Sequence, residues 1–228
     1  MKSSQENIAI KTSFLFWISP TFKIAELTKN KFRKNGDSEE KLATIITRYN
    51  LLYLSVTLAF AFVIGIVLYP GFLDVAQAII IKKIFLYIVG PLIFSRAAEI
   101  FIAFLRDAVS KMDGNKSSTN LTYGKRLELA LKSYVELLVG FGLLYYILPD
   151  CFFKGGEGNF QFQSIIEAIY FSGATMTTLG YGDISPKHWV TQILVIFQLF
   201  CGMTLALVSF TVYTSLGLAT NKNQCDEG

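Results

Sequence analysis

Apolar residues in this chain come in long blocks, not in the alternating or every-third-residue patterns of water-soluble elements. Leu51 to Tyr69 is apolar and almost uncharged, about the length a bilayer core demands, and it stops at Pro70-Gly71. Ile84 to Leu105 forms a second block, Leu129 to Leu148 a third, and Trp189 to about Leu218 a fourth. Each predicts a membrane-spanning helix. Ser164 to Thr177 is also apolar, but its fourteen residues are too few to span. That length predicts a re-entrant helix that enters the membrane and turns back, followed by a Gly-rich loop. The pattern therefore predicts an all-α integral membrane protein with four transmembrane helices, a re-entrant helix and a loop.

The blocks are not uniformly clean. Pro91, Arg96 and Glu99 interrupt the second. Arg96 and Glu99 are three apart, share a helix face and can pair, either as a functional charge or as a buried pair between helices. Lys132 and Glu136 are four apart near the start of the third block. Residues 10–34 mix Phe, Trp and Ile with Lys and Thr. They read as an amphipathic segment on the cytoplasmic membrane surface, or as a plain cytoplasmic helix or poorly ordered terminus. Ser38-Glu39-Glu40 predicts a helix start, with a capping hydroxyl and acids in the first turn. Five segments follow: an N-terminal cytoplasmic or interfacial part (1–50), two spans (51–106), a cytoplasmic linker (107–128), a unit of two spans around the re-entrant helix (129–218) and a cytoplasmic tail (219–228).

Composition agrees with the pattern. Hydrophobic residues make up 52% of the chain and charged ones 17%, against about 25% charged in soluble domains. The net charge of +4 is small and gives no reason to expect nucleic acid as a partner. Its distribution predicts topology: residues 1–50 carry nine Lys or Arg and residues 106–132 carry six, while 70–83 and 149–188 carry two each. The positive-inside rule puts both termini in the cytoplasm and the re-entrant loop outside, in a cell (plasma or inner) membrane. No cleaved leader is predicted, because Phe14 to Ile18 is too short. Cys151, Cys201 and Cys225 have no metal-ligand spacing; Cys201 is expected to pack in a helix and Cys151 to face outward.

The candidate chemistry lies in Thr175-Met176-Thr177-Thr178-Leu179-Gly180-Tyr181-Gly182-Asp183-Ile184-Ser185-Pro186. Gly at every second position, 180 and 182, suits a backbone that alternates between right- and left-handed dihedrals. Such a path aims successive carbonyls along one line. Thr178 can add a hydroxyl oxygen, while Leu179 and Tyr181 point away and wedge the loop from behind.

This run resembles the selectivity filter of the potassium channels, which usually reads Thr-Val-Gly-Tyr-Gly followed by Asp. The resemblance covers 129–218 and implies an outer helix, a pore helix, a filter and an inner helix, four copies of which surround one axis. It implies a homotetramer in membrane lipid that conducts K+ passively, with no cofactor and no enzymatic activity. The permeant ion would sit at Thr178, Leu179, Gly180 and Tyr181, with Gly182 completing the filter and Thr177, Asp183 and Tyr170 supporting it. Gly202 stands twenty residues after Gly182, where potassium channels often carry a hinge glycine; close helix packing is the other reading. Met203, Ala206, Leu207, Phe210, Thr211 and Thr214 would face the cavity or its inner mouth.

The match has departures. Leu179 replaces the commoner Val, and Ala174 stands where some bacterial channels have a Glu that braces the Asp after the filter. Tyr170 and Phe171 replace a common Trp pair. Tyr170 can donate to Asp183, whereas Phe171 has no hydrogen bond to offer Tyr181. A filter with fewer polar braces allows a weakly selective Na+/K+ channel as an alternative. A potassium uptake transporter subunit is an alternative of another class, and an unknown regulatory subunit is a further candidate partner. His188 is expected to be a solvated residue at the outer mouth. A lone Arg96 is too little for a voltage sensor, so the two peripheral spans have no role legible in the sequence.

Overall fold

The structure, a computed structural model, describes residues 19–21, 25–27, 39–69, 73–112, 121–155, 158–209, 211–215 and 218. Helix α1 is Glu39–Val67, α2 is Val75–Met112 and α3 is Tyr123–Ile147. A 3-10 turn at Asp150–Phe152 leads to strands β1 (Phe153–Gly155) and β2 (Gly158–Asn159). Then come α4 (Ile165–Met176), β3 (Ile184–Pro186) and α5 (Trp189–Met203), which continues as a π-helix over Thr204–Ser209.

Among the described residues, three helices are long and apolar enough to cross a membrane: Lys41–Val67, Val75–Ser110 and Trp189–Ser215. The fourth expected span, α3, is 25 residues long, or about 37 Å at 1.5 Å per residue. It differs in surroundings. It packs against α1, α2, α4 and α5, and it is almost continuously buried from Leu137 to Leu148. A helix enclosed by protein need not be apolar on every side, so α3 tolerates Ser133 and Glu136 in its interior. By contrast α1 and α2 expose Phe62, Ile66, Ile80, Ile88 and Leu92 on their outer faces. In a chain with spans of this kind those faces meet lipid.

The linker between the second and third blocks is shorter than expected. Helix α2 runs on to Met112, and α3 already begins at Tyr123, where the Thr122 hydroxyl accepts from the Lys125 amide at 3.4 Å. Docking of α4 on α3 depends on Gly142, where a Cβ would lie 2.8 Å from the Ile169 Cα. The two backbones approach as small-residue helix contacts in membranes do.

A small sheet of order β2-β1-β3 was not anticipated. Phe153 pairs with Pro186, Lys154 with Ser185 and Gly155 with Ile184. Strands of two or three residues are too short to show a period of two. The sheet ties the chain leaving the 177–183 loop to the chain leaving α3.

The described part of the N-terminal segment does not lie free on a surface. Ser19 is fully buried and donates to the Ser95 carbonyl at 2.7 Å, and the Thr21 and Ser95 hydroxyls are 3.0 Å apart. Ser95 is halfway along α2, so this point of the segment packs against helices. Apart from 19–21 and 25–27, residues 10–34 lie outside the described residues, as does the tail 219–228.

Candidate functional site

Helix α4 starts and stops where its end residues dictate. The Ser164 hydroxyl accepts from the Glu167 amide at 3.3 Å, and the Glu167 carboxylate accepts from the Gln163 amide at 2.8 Å, close to a capping box. At the other end the Thr177 amide donates to the Gly173 carbonyl at 3.0 Å, Thr178 to Thr175 at 3.0 Å and Gly180 to Ala174 at 3.1 Å. The loop thus curls back over the last turn of α4.

Beyond that turn the backbone is left-handed at alternate residues: φ is +61° at Thr178, +52° at Gly180 and +82° at Gly182. Gly180 and Gly182 were expected to adopt this conformation. Thr178 was not, since a β-branched residue at positive φ is strained, and such strain concentrates at functional sites. No Cβ at Gly180 or Gly182 would meet another atom within 4 Å. These glycines serve dihedral freedom, not close packing.

The loop stands open in the single chain. Leu179 is 62% exposed and Tyr181 65%. The ring of Tyr170 alone stacks on Tyr181 among the described aromatic pairs, at 6.0 Å and 8°. The Tyr170 hydroxyl also interacts with the Asp183 carboxylate. Asp183 accepts from the Ile184 amide at 3.0 Å. Phe171 turns inward, into a cluster with Tyr145, Phe153 and Phe162.

Residues 133–218 match the model of a family described as "Ion channel". Three curated relatives match parts of the chain. The two pore potassium channel a of Oryza sativa subsp. japonica is 33% identical over 75 residues, 33% of this chain and 20% of the relative. The potassium channel subfamily T member 1 of Gallus gallus is 25% identical over 99 residues, 43% of this chain and 8% of the relative. The voltage-gated potassium channel Kch of Escherichia coli (strain K12) is 33% identical over 69 residues, 30% and 16% of the two chains. Residues 133–218 are thus similar to an ion-channel family, and parts of the chain are similar to parts of proteins named as potassium channels.

The matched region spans a fifth or less of these relatives' own lengths, and no solved structure matches the chain. An ion-channel-like segment therefore lies in a chain that has, among the described residues, three helices long and apolar enough to cross a membrane.

Within this pore segment, sequence reasoning passed over a buried polar cross-link. The Tyr145 hydroxyl donates to Gln198 Oε1 at 2.7 Å, Gln198 Nε2 donates to the Ser172 carbonyl at 3.0 Å and hydroxyl at 2.7 Å, and Ser172 Oγ donates to the Leu138 carbonyl at 2.7 Å. This joins α3, α4 and α5. A lone Gln inside an apolar span was the signal available. His188 was also misjudged. It is not simply solvated: its Nδ1 accepts from the Val190 amide at 3.2 Å, capping α5, and its ring stacks on Phe152 at 4.0 Å and 7°.

At Gly202 an added Cβ would lie 2.8 Å from Met176 Cγ and 3.1 Å from the Met176 carbonyl oxygen. The inner helix thus touches the last turn of α4 there, which supplies a packing reason for the glycine. The π-helix begins two residues later. Met203, Ala206 and Thr211 are exposed and Thr214 half-buried in the single chain. The Leu207 side chain and Phe210 lie outside the described residues. Cys201 is buried and Cys151 exposed, as expected.

Arg96 pairs with Glu99 at 3.1 Å, and also grips Glu136 of α3 through Nε at 2.8 Å and Nη2 at 3.2 Å. The sequence suggested only the first contact. Glu136 turns from Lys132, which pairs with Glu128 instead. The guanidinium lies 4.1 Å over the Tyr53 ring. A cavity of about 180 Å³ with mostly apolar walls ends on Arg96 and Glu136.

Proposed function

We propose that four copies of this chain assemble around their 178–182 loops into a potassium-selective channel that passes K+ downhill. The observation that carries the reading is the left-handed backbone at Thr178, Gly180 and Gly182, in a loop that its own chain leaves exposed. Carbonyls so arranged replace an ion's water shell only when several copies face one axis. The ion sites are assigned to Thr178, Leu179, Gly180, Tyr181 and Gly182, with Thr177, Tyr170 and Asp183 as supports. Gly202 is assigned the hinge; Met203, Ala206, Leu207, Phe210, Thr211 and Thr214 are assigned the cavity. The names of the relatives support potassium as the ion.

Neighbouring copies have an apolar face to bind. Trp189, Ile193, Ile196, Phe200 and Met203 are exposed at helical spacing along the inner helix, and Ile166 and Tyr170 add to them from α4. The carboxyl end of α4 leads directly into the loop, so its dipole favours a cation there. The charge distribution supports both termini in the cytoplasm of a cell membrane. Residues 129–218 are the pore unit and 51–106 its periphery.

A weakly selective Na+/K+ channel is the second reading. It is favoured by the turning of Phe171 into the core, which leaves Tyr181 a ring contact from Tyr170 in place of a hydrogen bond. The test is purified protein in a planar bilayer, with potassium on one side and sodium on the other. A reversal potential near that of potassium supports the first reading, and a value near zero with robust current supports the second. An assembly mass that is not four chains overturns both.

A further inference from the structure

Helix α2 packs along the inner helix, most closely against the π-helix Thr204–Ser209, and side-chain contacts flank that segment at two levels. In the upper level the Phe197 ring lies 4.9 Å from Phe94 and 6.3 Å from Phe101. In the lower level the Tyr213 hydroxyl donates to Asp107 at 2.7 Å. The same carboxylate is held by Arg126 Nη1, at 2.6 Å from each oxygen. Arg126 is anchored in turn to the Leu121 carbonyl at 3.1 Å. Tyr213 is 2% exposed and Arg126 4%. Three helices therefore converge on one acid.

Between the two levels lies the π-helix Thr204–Ser209, directly below the Gly202 contact. A π segment departs from regular helical bonding and is where a helix can change its path. Above it the inner helix is fixed by Gln198 and by its contact with Met176. Below it Tyr213 ties the helix to α2 and α3. Release of that tie is chemically cheap. Asp107 keeps its charged partner Arg126 when the Tyr213 hydroxyl leaves, so no buried charge is orphaned and one hydrogen bond is at stake. A difference of that size lets two positions be populated together.

We propose that Tyr213, Asp107 and Arg126 form a latch. Through it α2, a helix outside the ion path, sets the position of the inner helix's lower end, and release of the Tyr213 hydroxyl moves that end and changes how long the pore stays open. The last clause rests on the channel reading; the latch itself does not.

The test is Tyr213→Phe, which deletes the hydroxyl and keeps the ring. With the native cysteines replaced, spin labels at Val109→Cys and Ser215→Cys report the distance between α2 and the inner helix in lipid vesicles. Tyr213→Phe is expected to broaden or lengthen that distance and to change the ratio of open to closed time roughly tenfold, with the reversal potential unchanged. Tyr134→Phe, which removes a hydroxyl elsewhere, is expected to change neither. Unchanged distances in Tyr213→Phe overturn the latch, and changed distances with an unchanged open ratio overturn its control of the pore. If the unmodified protein passes no current, the distances still decide the latch and the channel reading is what fails.

Discussion

The Gln198 side-chain amide donates to the Ser172 hydroxyl at 2.7 Å, deep between the inner helix and the helix that precedes the loop. Both residues are fully buried. Because Tyr145 donates to the same Gln198 and Ser172 donates to Leu138, the loop's supporting helix is held from two sides. In hydrocarbon no water can replace these bonds.

Replacing Gln198 with Leu leaves the Tyr145 hydroxyl buried without its acceptor. Loss of about 1–3 kcal/mol of stability is expected, read as a lower melting temperature in detergent. Gln198→Glu retains an acceptor for Tyr145 and separates that bond from the one to Ser172. A melting temperature unchanged in Gln198→Leu would remove the network from the account of stability.

Gly182 sits at φ +82° in open space. Within its own chain Gly182→Ala costs its dihedral strain, about 1–2 kcal/mol. The chain is expected to fold and assemble while the current loses its preference for potassium. The bi-ionic reversal potential measures this. Retained selectivity in Gly182→Ala would mean that the left-handed backbone is not what the ion meets.

Tyr170 carries both a ring on Tyr181 and a hydroxyl on Asp183. Tyr170→Phe keeps the stacking and deletes the polar brace. Faster decay of current during sustained activation is expected, with assembly unchanged. Equal decay in the two proteins would strip the hydroxyl of this role.

Arg96 neutralises Glu136 beside an apolar cavity. Arg96→Leu leaves that carboxylate buried and unpaired, at an expected loss of about 3–5 kcal/mol. Adding Glu136→Gln to the same protein is expected to recover a large part of it, so the two changes are not additive. Thermal unfolding of the two singles and the double decides; additive losses would mean that the pair does not act as a unit.

The bounds of α4 were legible because they are written in local chemistry. Ser164 caps the helix, its apolar run ends at Thr177, and the following Gly180 and Gly182 admit a left-handed path that other residues resist. The spans α1, α2 and α5 were legible for the same reason: a bilayer demands length and apolarity of each helix by itself. Neither rule says which helices touch. That α3 lies in the middle, that Glu136 turns to Arg96 instead of Lys132, and that Tyr213 reaches Asp107 across 106 residues depend on side chains brought together from distant parts of the chain. Positive φ at Thr178 belongs to the same class, since residue preference argues against it and the surrounding turn imposes it. The sequence by itself determined apolar helices of membrane-spanning length and a short helix that runs into a Gly-Tyr-Gly loop similar to a potassium channel filter, through block length and residue type. Only the tertiary structure decided how the peripheral helix grips the pore segment, because pairing between buried polar groups is set by their meeting in space and leaves no period along the chain.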